Sequence, residues 1–406
     1  MHDPRAKWPK VRLADVAQVI NGGTPKSKVR DYWGGDVQWL TPKEMGGMAS
    51  RHIGATERTI SETGLAKSSA RLVPPNSLIL STRAPIGHLA INKVEMAFNQ
   101  GCRGIVPSAN LDTGFLYYFL LANRQQLNDL GTGTTFKELS ATNLKTFQLP
   151  LPALDEQKRI VAVLDQAFAA LDRARDYTES NLASTRELLE QTREQLISSR
   201  QPGWKEESLA NLITVKHGFA FKSRFFKNEG TYVLLTPGNF FERGGFRRRG
   251  EKQKYYHGDI PRGFILDKGD LLMAMTEQAP GLLGSCILVP ESNRFLHNQR
   301  LGLIEPKNTA DWHAAYFSQA FNLRAFRKAL SDSCSGIKVR HTSPDKIRNV
   351  NVPVPPTVDA QKSIAEKMDR IVDTSAVLSE GYSTKLEEIE ALRHSLLRQA
   401  FSGNLV

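Results

Sequence analysis

The feature that most constrains how this 406-residue chain folds is that it is written twice. Trp8 is followed by Leu13-Ala14, Val19 and Gly22, and Trp204 by Leu209-Ala210, Val215 and Gly218, every match at an offset of 196. Thr41-Pro42 then returns as Thr236-Pro237, and Asn99-Gln100 as Asn298-Gln299. The closing segments agree best. Leu149-Pro-Leu-Pro followed by Asp155-Glu-Gln-Lys-Arg-Ile160 parallels Val352-Pro-Val-Pro followed by Asp359-Ala-Gln-Lys-Ser-Ile364. The offset has grown to 204 at Asp359, a drift expected when loops of unequal length interrupt a shared core. This many ordered matches at nearly one offset imply duplication, and so two like domains rather than one large core.

Each copy divides in two. The first part carries short apolar runs punctuated by Gly, Pro and Asn: VQWLTP, NSLILST and LAINKV in one copy, YVLLTP, GDLLMAM and SCILVP in the other. These predict short strands joined by turns. FLYYFLLANRQQL and WHAAYFSQAFNLRAFRKAL have helical periodicity. The fold class expected is therefore α+β: two tandem pseudo-repeats, each a mixed α/β module followed by a long helix. The boundaries expected are 1–150 and 202–352 for the modules, 151–201 and 353–406 for the helices.

The helices declare themselves by spacing. In the second copy Ile364, Met368, Ile371, Leu378, Tyr382, Ile389, Leu392 and Leu396 fall on one alternating 3/4 series, interrupted at Ser375, Lys385 and Gln399. In the first, Ile160, Leu164, Ala167 and Leu171 begin such a series and Leu182, Leu189 and Leu196 continue it. The eleven-residue step from Leu171 to Leu182 predicts a stutter. Pro152 and Pro355-Pro356 stand ahead of the helices; Pro202-Gly203 and Gly403 stand after them. A helix of ~44 residues is ~66 Å long at 1.5 Å per residue. Matched lengths favour pairing of the two helices as an antiparallel coiled coil, although each can instead pack on its own module or on another chain. Antiparallel pairing would set the two modules at opposite ends of a ruler, suited to a duplex whose turn repeats every ~34 Å.

The formal net charge of +12 favours a polyanionic partner, for which nucleic acid is the usual case. Residues 216–254 hold ten Lys/Arg against three acids, with Lys216, Lys222, Arg224, Arg247, Arg248 and Arg249 among them, interleaved with aromatics and glycines. A Gly-rich basic loop can approach a phosphate backbone, and Arg can pair bidentately with guanine. The first copy has a thinner counterpart in Lys26, Lys28 and Arg30, with Lys43, Arg83 and Arg103. Gln100 and Gln299 can read adenine edges through their amides or serve as ordinary loop amides; Arg300 follows the second. Lys137 after Thr134, and Lys338 with Arg340, stand near expected helix starts, a setting that attracts phosphate.

Several chemistries lack their motifs. There is no G-x-G-x-x-G, no phosphate-loop lysine motif, no H-E-x-x-H and no N/D-P-P-Y/F loop; Asn351-Val-Pro-Val-Pro-Pro356 falls short of the last. Ser335-Gly-Ile-Lys338 and Ser343-Pro-Asp-Lys346 match S-x-x-K without any companion motif. No metal site, no catalytic residue and no cofactor of its own is expected. Cys102, Cys286 and Cys334 form no disulfide or zinc pattern, which fits a reducing, cytoplasmic setting. No run of 18 apolar residues exists, the N-terminal segment lacks the apolar stretch of a secretory signal, and no membrane partner is expected.

The chain resembles the specificity (S) subunits of Type I restriction–modification systems. The resemblance rests on W-P-x-V-x-L-A-D-V at 8–16, N-G-G-T-P at 21–25, W-L-T-P-K-E-M at 39–45, and L-P-L-P-A-L-D-E-Q-K-R-I at 149–160. The shorter V-P-V-P-P…Q-K-S-I at 352–364 and L-L-R-Q-A-F-S-G-N-L at 396–405 add to it. The second copy departs from it in having Ala360 in place of Glu156, and Gly218-Phe-Ala-Phe in place of G-G-T-P. The resemblance implies two target recognition domains, each reading one half of a split, asymmetric double-stranded DNA sequence. It implies that the helices set the unread gap and dock two modification subunits carrying S-adenosylmethionine, with ATP-driven restriction subunits joining them. A scaffold binding protein partners through its modules is the competing reading.

Overall fold

A computed structural model of the chain describes residues 8–83, 85–133, 137–198, 202–278, 281–336 and 339–402. It falls into two compact units, Met1–Thr178 with Thr384–Val406, and Glu179–Ser383. Each unit thus takes one module together with part of both long helices.

In the first unit, Lys10–Arg12 pairs antiparallel with Gln148–Pro150, closing the module where its chain enters and leaves. A five-stranded sheet runs in the order Ala17–Asn21, Cys102–Pro107, Leu78–Thr82, Ile86–Asn92, His52–Ile53. A three-stranded sheet centres on Trp33–Leu40, which lies parallel to Ala97–Phe98 with Leu40 opposite Phe98. The helix Thr113–Ala122 is apolar almost all round, as a helix buried on most faces must be. Phe115, Leu116 and Leu120 are fully buried against Leu78, Leu80 and Ile105 of the sheet. Each such side chain contributes about 1.5–3 kcal/mol on burial.

The second unit repeats this plan. Lys205–Ser208 pairs with Asn351–Val354. A four-stranded sheet runs Ile213–His217, Leu301–Pro306, Leu271–Ala274, Cys286–Leu288, and the parallel pair returns as Tyr232–Leu234 beside Phe295–Leu296. The glycines shared by the repeats have a common cause. A Cβ on Gly22 would lie 2.1 Å from the Asn99 carbonyl oxygen, and one on Gly218 would lie 2.0 Å from that of Asn298. Neither site has room for a side chain.

All six apolar runs contain strands. The two long helical readings differ from expectation, because each breaks in the middle. FLYYFLLANRQQL forms Thr113–Ala122 and Arg124–Asp129; the other forms Ala314–Phe321 and Arg324–Ser333. An Asn leaves the helical path at each break. Asn322 accepts from the Cys286 amide at 3.1 Å and donates to its carbonyl at 3.3 Å, acting as a strand neighbour to that edge.

The long helices are Leu154–Ser198 and Val358–Phe401, of 45 and 44 residues. The glutamine of the repeated D-E-Q/D-A-Q element ties each to its module. Gln157, fully buried, accepts from the Asp112 amide at 2.8 Å and donates to the Asn110 and Pro152 carbonyls at 2.9 Å. Gln361 repeats the arrangement with the His313 amide at 2.9 Å and the Asp311 carbonyl at 3.1 Å. Within the first unit Ile160, Leu164 and Phe168 share a core with Leu397 and Ala400, and Leu171 and Leu396 pack on it. Arg393 meets Asp172 at 2.7 Å and lies 4.6 Å from the Phe168 ring centre. Within the second unit Ile197 shares a core with Ala365, with Ile364 at its margin. In both units the beginning of one helix meets the end of the other, so their sense is antiparallel.

The phase of the stripe on the second helix requires a correction. The inward series runs Gln361, Ala365, Met368, Val372, Ser375, Ser379, Tyr382, Leu386, Ile389, Arg393, Leu396 and Ala400. Met368, Tyr382, Ile389 and Leu396 lie on it, Leu396 beside the more deeply buried Leu397, but the alternate members sit one residue later than the apolar spacing suggests. Ile364 and Ile371 are half-buried flankers, while Leu378 and Leu392 are 46% and 49% exposed. Beside Val372 and Leu386, the shifted positions hold Ala365, Ser379, Arg393 and Ala400, which an apolar count passes over. On the first helix Leu182, Leu189 and Leu196 are half-buried, and Thr178, 8% exposed, lies between Leu171 and Leu182. Its hydroxyl donates to the Ala174 carbonyl at 2.7 Å. Gly403 lies outside the described residues.

Candidate nucleic-acid interface

In both modules the strand ends converge on one edge, around the repeated Asn-Gln pair. In the first, Gly23 N–H donates to Phe98 at 2.9 Å, Thr82 N–H to Gly101 at 2.8 Å, and Leu139 N–H to Thr82 at 2.9 Å. Asn99 fixes the turn: its side chain accepts from the Gly101 amide at 2.8 Å and donates to the Thr24 hydroxyl at 3.0 Å. Gln100 then stands exposed at the tip, with its amide oxygen taken by Thr24.

The second module builds the same turn with different surroundings. Asn298 accepts from the Arg300 amide at 3.0 Å, Gln299 N–H donates to Phe219 at 3.0 Å, and Met275 N–H to Arg300 at 3.0 Å. Ala220 occupies the place of Thr24 at the constant offset of 196, so no hydroxyl holds the glutamine. Gln299 and Arg300 are exposed and have no side-chain hydrogen-bond partner among the described residues. Behind them His297 is fully buried, with Nε2 2.9 Å from the Leu301 carbonyl. Burial pushes its pKa down to about 4, so the ring stays neutral near pH 7.

Some of the basic residues expected to face a polyanion hold the edge together instead. Arg103 is 12% exposed, donates to the carbonyls of Gln100 and Cys102 at 3.0 Å, and faces Glu138 at 3.6 Å. Burial lowers its pKa. Arg83 faces the same carboxylate at 3.8 Å. Arg340 meets the buried Glu277 at 3.1 Å and donates to the Ser331 carbonyl and hydroxyl at 2.8 and 2.7 Å. Lys216 donates to the Gly263 carbonyl at 2.8 Å. Lys26, Lys28, Arg30, Lys43, Lys137, Lys222, Arg224, Arg247 and Arg248 are exposed, and Arg249 is half-buried. Thr134 and Lys338 lie outside the described residues.

The aromatics interleaved with the basic run mostly form core. Phe221, Tyr256, Phe219 and Phe225 pack with Leu234 and Leu296. Phe241 is the exception at 50% exposed, with the Arg247 guanidinium 5.8 Å from its ring centre. It begins a tight hairpin in which Phe240 faces Phe246 and Phe241 N–H donates to Gly245 at 3.1 Å. Gly244 and Gly245 turn it at φ +89° and +94°, conformations that only glycine adopts without strain. Arg247, Arg248 and Arg249 follow directly.

Two clusters escaped the sequence reading. Arg58 stacks 3.9 Å from the Trp33 ring centre, beside Trp39; the paired tryptophans were the only available signal. Arg51 joins Asp165 of the long helix, and Tyr118 donates to the same carboxylate at 2.5 Å, fastening module to helix. Burial pulls the Asp165 carboxyl upward, but the hydrogen bonds from Arg51 and Tyr118 outweigh it and hold the pKa below its ordinary value. Gln319 and Asp369 repeat this fastening more loosely, at 3.4 Å. Nothing in local spacing announces a contact between residues 114 positions apart.

Comparison with known proteins bears on what these edges meet. The family model described as the Type I restriction modification DNA specificity domain matches residues 5–176 and again 202–390. The Type I restriction enzyme MjaIX specificity subunit of Methanocaldococcus jannaschii is 36% identical over 159 residues, 39% of this chain and 37% of that protein's length. The StySPI specificity subunit of Salmonella potsdam is 20% identical over 98% of this chain and 89% of its own. Among solved structures, a chain from a type I R-M system studied for complex assembly and conformational transition aligns over 98% of both chains, with TM-score 0.77 and 17% identity. The HsdS subunit of Thermoanaerobacter tengcongensis aligns over 98% of this chain and 97% of its own, with TM-score 0.59 and 16% identity. At these identities the structural likeness speaks for the fold.

Proposed function

The chain belongs to the family of Type I restriction modification DNA specificity domains, carrying two of them, and from that premise we propose that it is the DNA sequence-recognition subunit of a Type I restriction–modification complex. The observation that carries the proposal is the edge built twice. An Asn, half-buried in one module and buried in the other, clamps a turn that presents Gln100 in the first and Gln299 in the second, while the surrounding loops diverge. Equal scaffolds with unequal loops suit two dissimilar half-sites rather than a palindrome. An amide side chain supplies both a donor and an acceptor, the pair that adenine N7 and N6 require.

In this reading the exposed Lys and Arg of each module engage phosphates, and the glutamines with Arg300 and the hairpin arginines meet base edges. The long helices fix the unread gap and dock two modification subunits, which bind S-adenosylmethionine and methylate the DNA. Restriction subunits that use ATP complete the complex. The work of this chain is positioning, and the relatives named as specificity subunits support that division of labour. Among the described residues no helix is long and apolar enough to cross a membrane.

Binding of a random-sequence duplex pool, followed by sequencing of the bound fraction, tests the proposal. Enrichment of two short dissimilar motifs at one fixed gap supports it. Protein partners captured with no DNA enrichment at any salt would favour a scaffold.

A further inference from the structure

The second unit holds two arginine-rich hollows that differ in how their charge is settled. The smaller, about 370 Å³, includes Arg324, Arg327 and Arg340 in its wall. Arg324 meets Glu187 at 2.7 Å and Arg340 meets Glu277 at 3.1 Å. Arg327 spends its donors on the carbonyls of Leu283, Glu242 and Gly281. The basic side chains of that hollow are engaged from within, apart from Arg243, which it shares with the second.

The larger groove, about 1200 Å³, is lined by Arg186, Arg243, Arg247, Arg249 and Arg300. None of the five has a carboxylate within ion-pair distance among the described residues. Its acidic lining is Glu242 and Glu277, and Arg340 already answers the second. The hairpin is tied to the first long helix here: Arg243 of the hairpin tip donates to the Arg186 carbonyl at 3.4 Å, and Arg193 donates to the Arg243 carbonyl at 3.5 Å. The second long helix contributes Ser375, Ala376 and Ser379, short side chains that let a bulky partner come close. Guanidiniums of one sign gathered along one groove repel one another, and an anion from outside relieves that repulsion.

We propose that this groove receives the phosphodiester backbone of the DNA duplex, with Arg186 of the first long helix as a phosphate contact. The helix is then part of the DNA-binding surface as well as a spacer. The proposal rests on the reading of the chain as a DNA-recognition subunit. Continuity selects a duplex over an acidic peptide, because Arg300 belongs both to the groove and to the turn that presents Gln299.

The test measures how affinity of the full chain depends on salt, for a duplex carrying its selected motif and for one of unrelated sequence. Replacing Arg186→Ala weakens both duplexes by the same factor, and the slope of log affinity against log salt becomes shallower by about 0.9, one phosphate contact. Arg186→Lys restores the slope, which a merely structural role would not explain. An unchanged slope in R186A, or a loss confined to the motif duplex, overturns the groove. A wild-type chain that selects no motif, yet loses that slope in R186A, sinks the sequence-reading proposal and keeps the groove.

Discussion

Glu277 and Arg340 lie 3.1 Å apart at the rim of the second module, with the carboxylate buried and its second oxygen accepting the amides of Gly281, Leu282 and Leu283 at 2.9–3.0 Å. One carboxylate thereby fixes a loop and a returning strand beside the turn of Gln299. Glu277→Ala leaves three amides and a guanidinium without their acceptor. The expected cost is about 3 kcal/mol, the low end for breaking a buried pair, since Arg340 reaches solvent. Urea midpoints of variant and wild type measure it.

Acidification loosens the same edge through His297. Its folded pKa of about 4 lies below the unfolded value near 6.5, so between those values the unfolded chain binds the proton first. The stability it contributes is complete above pH 6.5 and is lost as pH falls toward 4, by roughly 3 kcal/mol in all. Thermal melts of wild type and His297→Gln across pH 4–7 should differ in slope in that window, the variant being the flatter. Parallel profiles would remove His297 from the account.

Asp165 carries a dependence of the usual carboxylate sign. Its folded pKa is held below the ordinary value, so its contribution is present above the unfolded pKa and is lost as pH falls through the folded one. Asp165→Asn should remove that acid-side loss and weaken the seating of the first module on its helix. Hydrogen exchange of the Tyr118 region reads the second effect.

Two alanine substitutions on one helix test the phase of the seam. Met368→Ala removes a fully buried side chain and should cost about 2–5 kcal/mol, while Leu378→Ala, at 46% exposed, should cost less than about 0.5 kcal/mol. Denaturant unfolding of the two variants separates them. Equal losses would restore the phase read from apolar spacing.

Glycines 22 and 218 have no space beside them. Gly218→Ala pushes a methyl toward the Asn298 carbonyl, costs about 1–3 kcal/mol as overpacking, and displaces the reading turn. The variant should lose motif selection in the half-site of its own module and keep it in the other.

What the sequence made legible follows from the range of the interactions involved. Strands announced themselves through apolar runs of the right length, and the Asn-Gln turn through its recurrence, because both signals are local or repeated. The helix seam was harder, since Ala365, Ser379 and Ala400 occupy inward positions without looking apolar enough to be counted. The break at Asn322 was hidden because the partner of Asn322 is Cys286, on a strand distant in sequence. The basic residues divided in a way that composition does not reveal. Arg103 and Arg340 hold loops, whereas Arg247 and Arg300 have no ion-pair partner among the described residues, and the positions of Glu138 and Glu277 make the difference.

The central claim is that each module reads its own half of a DNA target from the edge around its glutamine. Sequence selection from a random duplex pool by the wild-type chain and by Gln299→Ala tests it most directly. The account predicts a two-part motif with a fixed gap for the wild type, and for the variant a loss of discrimination at positions in one half only, the other half and the salt slope being unchanged. Identical motifs for the two proteins, or blurring of both halves together, would contradict it.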